Sequence, residues 1–231
     1  MVVDTAPETK TRPVWWRRPW IAPLAVVVIV FFAYALPPYL TLDPAKARLP
    51  APPGFPEHYW FLVGHILFGT VAMVGSLLQI WPWFRGRYPV AHRRIGRLYV
   101  FAGVLPGGLM ALVVGSVSPA GPATAVADIV AALLWLTFTF KGWQAARQRR
   151  FGDHRRWMIR SFAMTYSIIL SRVIMPFAAL AFVPQLDSAF GGSQQALIQS
   201  IAATSAWSSG LLSLLLSQWW LERRPRGARR A

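Results

Sequence analysis

Two stretches of the sequence place a histidine directly before a pair of arginines. Residues 92–94 and residues 154–156 both read His-Arg-Arg. A neutral imidazole nitrogen can bind a transition metal, and guanidinium groups beside it can pair with carboxylate or phosphate groups. The alternative is that each histidine lies among lipid headgroups and each arginine pair only marks a membrane surface. Which of the two holds depends on the elements that carry these residues.

The composition is typical of an integral membrane protein. Hydrophobic residues make up 55% of the 231 residues and charged residues only 14%, which is not the balance of a soluble domain. The chain has no cysteine, which excludes disulfides, thiolate metal sites and covalent c-type haem attachment. A formal net charge of +16 would suggest nucleic acid in a soluble protein. In a membrane protein the positions of the charges matter more, and we expect no nucleic-acid partner.

Six apolar segments approach the length that crosses a bilayer, which is about 20 residues. They are Trp20–Leu36, Tyr59–Trp81, Leu98–Val117, Ala123–Trp143, Trp157–Val183 and Gln199–Leu221. The segments predict an all-α fold, a polytopic transmembrane helix bundle of six spans that forms one domain over residues 20–221. We expect spans two to five to form a four-helix core.

The basic residues cluster in alternate connections. The tails 1–19 and 222–231, the second-to-third connection and the fourth-to-fifth connection are basic, and the other connections have almost no net positive charge. The positive-inside rule therefore predicts that both termini are cytoplasmic. It also predicts contact with the bilayer and with anionic lipid headgroups at the cytoplasmic face. Because each His-Arg-Arg stretch precedes a span of the same direction, spans two–three and four–five form a weak internal repeat.

Helical periodicity places polar residues of two spans on single faces. At 3.6 residues per turn, the stripe in the fifth span consists of His154, Ser161, Thr165 and Arg172. The stripe in the second span consists of His65, Gly69, Ala72, Ser76 and Gln79. In the third span small residues recur every four positions, at Gly103, Gly107, Ala111 and Gly115. That spacing lets a second backbone or a flat ligand approach closely, and we expect Pro106 to kink this helix.

The rise per residue sorts the polar groups into two layers. The inner, cytoplasmic layer contains Gln79, His92, Arg97, His154 and Arg160. The outer layer is a predicted buried polar cluster of His65, Asp128 and Arg172. We expect Asp128 and Arg172 to pair, since an unpaired ion at that depth is costly, and a structural clamp is favoured over a proton relay.

Several kinds of catalytic site are excluded by missing motifs. The chain has no H-E-x-x-H, no P-loop, no dinucleotide-binding fingerprint and no G-x-S-x-G. Only eight acidic residues occur, which argues against a magnesium-dependent diphosphate enzyme. Whether the protein is an enzyme stays open at this point.

The motifs resemble those of a family of uncharacterised bacterial membrane proteins, domain-of-unknown-function family 2306. The resemblance covers roughly residues 60–220. It rests on Gly64-His65-Ile66 with Gln79, on the HRRIGRLY stretch at 92–99, and on HRRWMIRS at 154–161 followed by Leu-Ser-Arg at 170–172. It implies a helical membrane fold and a multi-pass location in the bacterial cytoplasmic membrane. The family name carries no established activity.

The layout is also distantly similar to membrane cytochromes of the b561 group, which hold b-type haem between helices. That similarity implies haem b as a possible cofactor and His92 and His154 as ligands of its iron. Further cofactor-binding candidates are Arg97 and Arg160 for the propionates, with Arg93 and Arg155 also available, and His65 for a second, outer haem. A second, outer haem would need two ligands, and only His65 is clearly present at that depth.

Two other functions remain open from the sequence. Arg172 and His65 could line an outward cavity in a carrier or receptor for a small anionic or lipid-like ligand. The motifs could instead only lock helices together in a non-catalytic membrane scaffold, and a homodimer is possible in either case.

Overall fold

A computed structural model describes residues 20–48 and 51–223. The expected basic tail at 1–19 and residues 224–231 of the other tail lie outside the described residues. Within the described ranges the secondary structure is helical. The α-helices are α1 Ile21–Ala35, α2 Pro37–Leu40, α3 His58–Ile80, α4 Pro82–Arg87, α5 Pro89–Tyr99, α6 Leu105–Ser116, α7 Pro122–Arg147, α8 Phe151–Phe182 and α9 Gln194–Glu222.

Within residues 20–48 and 51–223, five helical segments are long and apolar enough to cross a membrane. They are α3, the continuous stretch Pro89–Ser116 through α5 and α6, α7, the stretch Phe151–Gln185 that extends α8, and α9. These five match the second to sixth predicted spans, so the protein is a multi-pass membrane protein. The first predicted span is α1, whose 15 residues are only about 22 Å long at 1.5 Å per residue. It is therefore shorter than a typical spanning helix.

The helices extend further into the basic connections than the apolar segments do. The third span was predicted from Leu98, but α5 begins at Pro89; the fifth was predicted from Trp157, but α8 begins at Phe151. Charge marks where the hydrocarbon region ends, whereas a helix can continue into the headgroup layer. The ring of Pro89 at the first helical position presets the backbone for a helix start.

A π-helical turn, Val100–Val104, connects α5 to α6. The Leu105 N–H donates to the carbonyl of Val100, one residue further back than in an α-helix. Pro106 follows directly; it has no N–H and its ring clashes with the preceding turn. Where the sequence predicted a kink at Pro106, the structure has a π turn, and the helical stretch Pro89–Ser116 continues through it.

The buried core comes from the second to fifth predicted spans, that is, from α3, α5 with the π turn, α7 and α8. Its central cluster is Ala72 from α3, Tyr99 from α5, Val104, Trp135 from α7 and Met164 from α8. The last spanning helix, α9, packs along α8 and α7. Serines at every fourth position of α9 are buried, at Ser205, Ser209, Ser213 and Ser217, as expected where small side chains bring two helices close.

The small residues of the third span bring α6 and its π turn against α3. A Cβ at Gly103 would lie 3.0 Å from the Cα, Cβ and N of Ala72, and one at Gly107 would lie 3.3 Å from Phe68. The α3 backbone therefore fills the space in which the sequence left room for a flat ligand. At this stripe the close approach is between helices.

Candidate functional site

His92 and His154 occupy equivalent positions in α5 and α8. Each is the fourth residue of its helix, after Pro89 and Phe151 respectively. The His92 N–H donates to the Tyr88 carbonyl and the His154 N–H to the Arg150 carbonyl, both at 2.9 Å. The two His-Arg-Arg stretches thus share their local geometry as well as their letters.

A hydrogen bond joins α5 and α8 two turns beyond the histidines. The Tyr99 hydroxyl and the Ser161 Oγ are 2.5 Å apart. Tyr99 is seven residues after His92, and Ser161 is seven residues after His154. Seven residues are almost two full turns, so each histidine lies on the same helix face as one of the bonded hydroxyls.

The two imidazoles therefore lie on the sides of α5 and α8 that carry Tyr99 and Ser161, and on α8 this side also packs against α7. They lie about 10 Å along the helix axes from the Tyr99–Ser161 bond, from a rise of 1.5 Å per residue. The imidazole of His154 also interacts electrostatically with that of His92. That the two histidines singled out by the sequence face each other stays a prediction.

The ring of His154 is oriented by α7. Its Nδ1 lies 2.8 Å from the carbonyl oxygen of Gly142. Because a carbonyl oxygen can only accept, Nδ1 carries the proton, and in the neutral ring Nε2 keeps a free lone pair. Among the described residues Nε2 has no hydrogen-bond partner. A backbone carbonyl bonded to the second ring nitrogen is the usual support of a metal-binding histidine.

His92 is held mainly through its backbone. The side-chain amide of Gln79 donates to the His92 carbonyl at 2.8 Å, which joins two residues of the predicted inner layer. The Nδ1 atom of His92 is buried and has no hydrogen-bond partner in the described part of the chain. An enclosed polar atom without a partner is unfavourable in a folded protein, and a bound ligand would satisfy it.

The two histidines by themselves do not make up a metal-ion site. No group of three or more His, Asp or Glu side chains that could hold a metal ion occurs in residues 20–48 and 51–223, whereas a structural zinc needs four ligands. In a bis-histidine site a haem iron takes two imidazoles from the protein, and His92 and His154 would supply that number.

Two of the arginines predicted to bind propionates are directed to the exposed surface or to α9. The side chain of Arg97 is exposed. Arg160 donates to the Gln218 Oε1 of α9 at 2.8 Å, so it is directed to α9 and not to His154. Arg85 of α4 and Arg93 of α5 instead interact electrostatically with His92.

Comparison with known families identifies the chain. A family model described as Predicted membrane protein (DUF2306) matches residues 62–212, from the start of α3 to well within α9. The chain belongs to the DUF2306 family. This confirms the resemblance inferred from the His-Arg-Arg motifs, and both histidine helices lie inside the matched region. No curated protein and no solved structure matches the chain.

In this DUF2306 protein the predicted outer cluster is not a buried unit. The Nδ1 of His65 lies 2.9 Å from the Gly107 carbonyl, which joins α3 to α6. Asp128 is half-buried and Arg172 is exposed; they interact electrostatically, but within the described chain no nitrogen and oxygen of the two lie within 4.0 Å. Arg172 follows Thr165 by seven residues on α8, and its side chain is exposed at that level.

Sequence reasoning missed a buried hydroxyl network beside the histidines. The Trp135 Nε1–H donates to the Thr165 Oγ1 at 2.9 Å, and the Tyr99 hydroxyl is 3.0 Å from the same oxygen. The Thr139 and Ser161 hydroxyls are 2.6 Å apart. The network connects α5, α7 and α8. Tyr99 closes the HRRIGRLY motif and Trp135 and Thr139 are four residues apart in an apolar segment, which are the signals that could have identified them.

Proposed function

We propose that this DUF2306 protein binds a b-type haem, which His92 of α5 and His154 of α8 would hold, and serves in electron transfer in the membrane. The observation that carries the proposal is the placement of both imidazoles on the helix faces joined by the Tyr99–Ser161 bond. In the proposed arrangement both termini lie on the cytoplasmic side of a bacterial cytoplasmic membrane, and the histidines lie near that side.

The residues around the site have separate tasks in this proposal. When bound, the haem would supply one-electron redox chemistry. Gly142 fixes the His154 ring and directs its Nε2 lone pair away from α7. Gln79 holds the backbone at His92, and the buried hydroxyl network fixes the separation of α5 and α8. Arg85 and Arg93 make the surroundings of His92 positive, which favours the anionic edge of the cofactor.

The carrier alternative has less support. It needs Arg172 and His65 to line a cavity, whereas Arg172 is exposed and the His65 Nδ1 is bonded to the Gly107 carbonyl. A pure scaffold would account for the helix contacts but would leave the buried Nδ1 of His92 without a role.

The test is a visible spectrum of the protein expressed with ample haem and purified in mild detergent. We expect a Soret band that shifts on reduction with dithionite, at about one haem per chain. His92→Ala and His154→Ala should each lose the band or convert it to that of a five-coordinate haem.

His65→Ala is the matched control. It removes an imidazole with the same Nδ1–carbonyl bond from the outer half of the bundle, so it should keep the spectrum of the parent protein. A parent protein without a Soret band would contradict the proposal, as would a spectrum that depends on His65 as strongly as on His154.

A further inference from the structure

Two cations lie over the ring of Trp157 of α8 at the basic end of the bundle. The Lys141 Nζ is 4.8 Å and the Arg160 Cζ 5.0 Å from the centroid of its ring system. On α7, Phe138 stacks with Trp157 at a centroid separation of 5.8 Å and an interplanar angle of 30°. The two rings thus form an aromatic surface that holds two positive charges.

These rings belong to the lining of a surface groove of about 450 Å³. Its lining residues are Phe138, Asp153, Arg156, Trp157 and Arg160. Phe138 lies closer to the centre of the bilayer than Lys141 does, because α7 runs towards its basic end at Arg147. The groove therefore has an apolar inner part, formed by Phe138 and Trp157, and a basic rim, formed by Arg156 and Arg160 with Lys141 close by.

The positive charges of the rim are not balanced by carboxylates. Arg156 and Arg160 are close enough to interact electrostatically, and like charges repel. Asp153, the acidic residue of the groove, is already paired with Arg150 at 2.6 Å. Among the described residues no carboxylate lies within 4.0 Å of Lys141, Arg156 or Arg160. An anion between these side chains would relieve the repulsion.

We propose that this groove binds the headgroup phosphate of an anionic phospholipid. Arg156 and Arg160 of the lining contact the phosphate, Lys141 adds its positive charge from its place over the Trp157 ring, and the acyl chains lie against Phe138 and Trp157. Tryptophan is enriched at the level where headgroups meet acyl chains, and basic sites between helices at that level bind anionic headgroups. The groove uses neither His92 nor His154, so the inference stands apart from the haem proposal.

Native mass spectrometry of the protein in a neutral detergent tests this inference. The probes are phosphatidylglycerol and phosphatidylcholine with identical acyl chains. We expect one phosphatidylglycerol to be retained in preference to phosphatidylcholine. Lys141→Gln and Arg156→Gln should each weaken that retention about fivefold, the factor expected for one basic residue at an anionic headgroup.

Arg149→Gln is the matched control, since it removes an exposed positive charge from the nearby α7–α8 connection and should leave retention unchanged. Equal retention of the two lipids would overturn the proposal, and so would a loss in Arg149→Gln as large as in Arg156→Gln. Displacement of the lipid by millimolar inorganic phosphate would show that the groove takes free phosphate instead. Because Arg156 is exposed, its variant keeps the test valid if Lys141→Gln fails to fold.

Discussion

Histidines that look alike in the sequence are held in different ways. His154 and His65 each bond a glycine carbonyl of a neighbouring helix through Nδ1, and His154 also interacts electrostatically with His92. His92 lacks a partner for its buried Nδ1 within the described chain. The chemistry proposed for this site therefore depends on which side chain each ring faces and not on the residue type alone.

The hydroxyl of Tyr99 is the residue-scale link between the two histidine helices. Tyr99→Phe removes the hydrogen bonds to Ser161 and Thr165 and keeps the ring in place. We expect the free energy of unfolding to fall by about 1 kcal/mol, the usual net value of such bonds, measured by denaturant unfolding in detergent micelles.

Tyr88→Phe is the control for this change, because Tyr88 is 45% exposed at the start of the same helix. It should leave the free energy of unfolding unchanged. Equal stability of the Tyr99 and Tyr88 variants would show that the buried network does not hold α5 and α8 together.

For single residues, the sequence predicted which side of a helix faces inward. It predicted less well which residue of another helix each side chain contacts. The seven-residue and four-residue spacings placed His154, Ser161 and Thr165 on one face, as observed. Arg160 was expected to serve the cofactor, but Gln218 on α9 provides a nearer acceptor. Contacts between helices distant in the chain cannot be read from the periodicity of either helix.

The elements are positioned by close backbone contacts. At Gly103 an added Cβ would lie 3.0 Å from the backbone of α3 at Ala72, and a backbone cannot turn aside as a side chain can. We expect Gly103→Ala to lower the free energy of unfolding by about 1–3 kcal/mol, as overpacking does, in the same unfolding measurement.

Gly69→Ala on α3 is the matched control, since an added Cβ there has no atom within 4 Å. Its stability should equal that of the parent protein or exceed it slightly through the better helix propensity of alanine. A Gly103→Ala protein as stable as Gly69→Ala would contradict the close packing of α3 against the π turn.

The apolar lengths predicted the spanning helices but not their ends. The segments after the first match five helices, whereas Pro89 and Phe151, where the histidine helices begin, lie among basic residues. Hydropathy indicates which residues prefer the hydrocarbon region to water. It does not indicate whether the backbone hydrogen bonds of a helix continue into the headgroup layer. The first segment is shorter than a typical spanning helix, because α1 contains only 15 residues.

For the whole molecule, the proposed function requires that spans two–three and spans four–five bring His92 and His154 face to face. The chain has no cysteine, so a pair of introduced thiols is the only pair that can react. Arg94 and Arg156 follow the two histidines by two residues each, and both are exposed; they provide a control pair on the same helices that points away from the gap.

The most direct test is cross-linking of His92→Cys/His154→Cys in membranes with a short bifunctional thiol reagent, scored by mass spectrometry of the joined peptides. We expect this pair to cross-link within one chain and the Arg94→Cys/Arg156→Cys pair not to do so. Equal cross-linking of both pairs, or cross-linking of the arginine-derived pair alone, would contradict the facing arrangement of the two histidines.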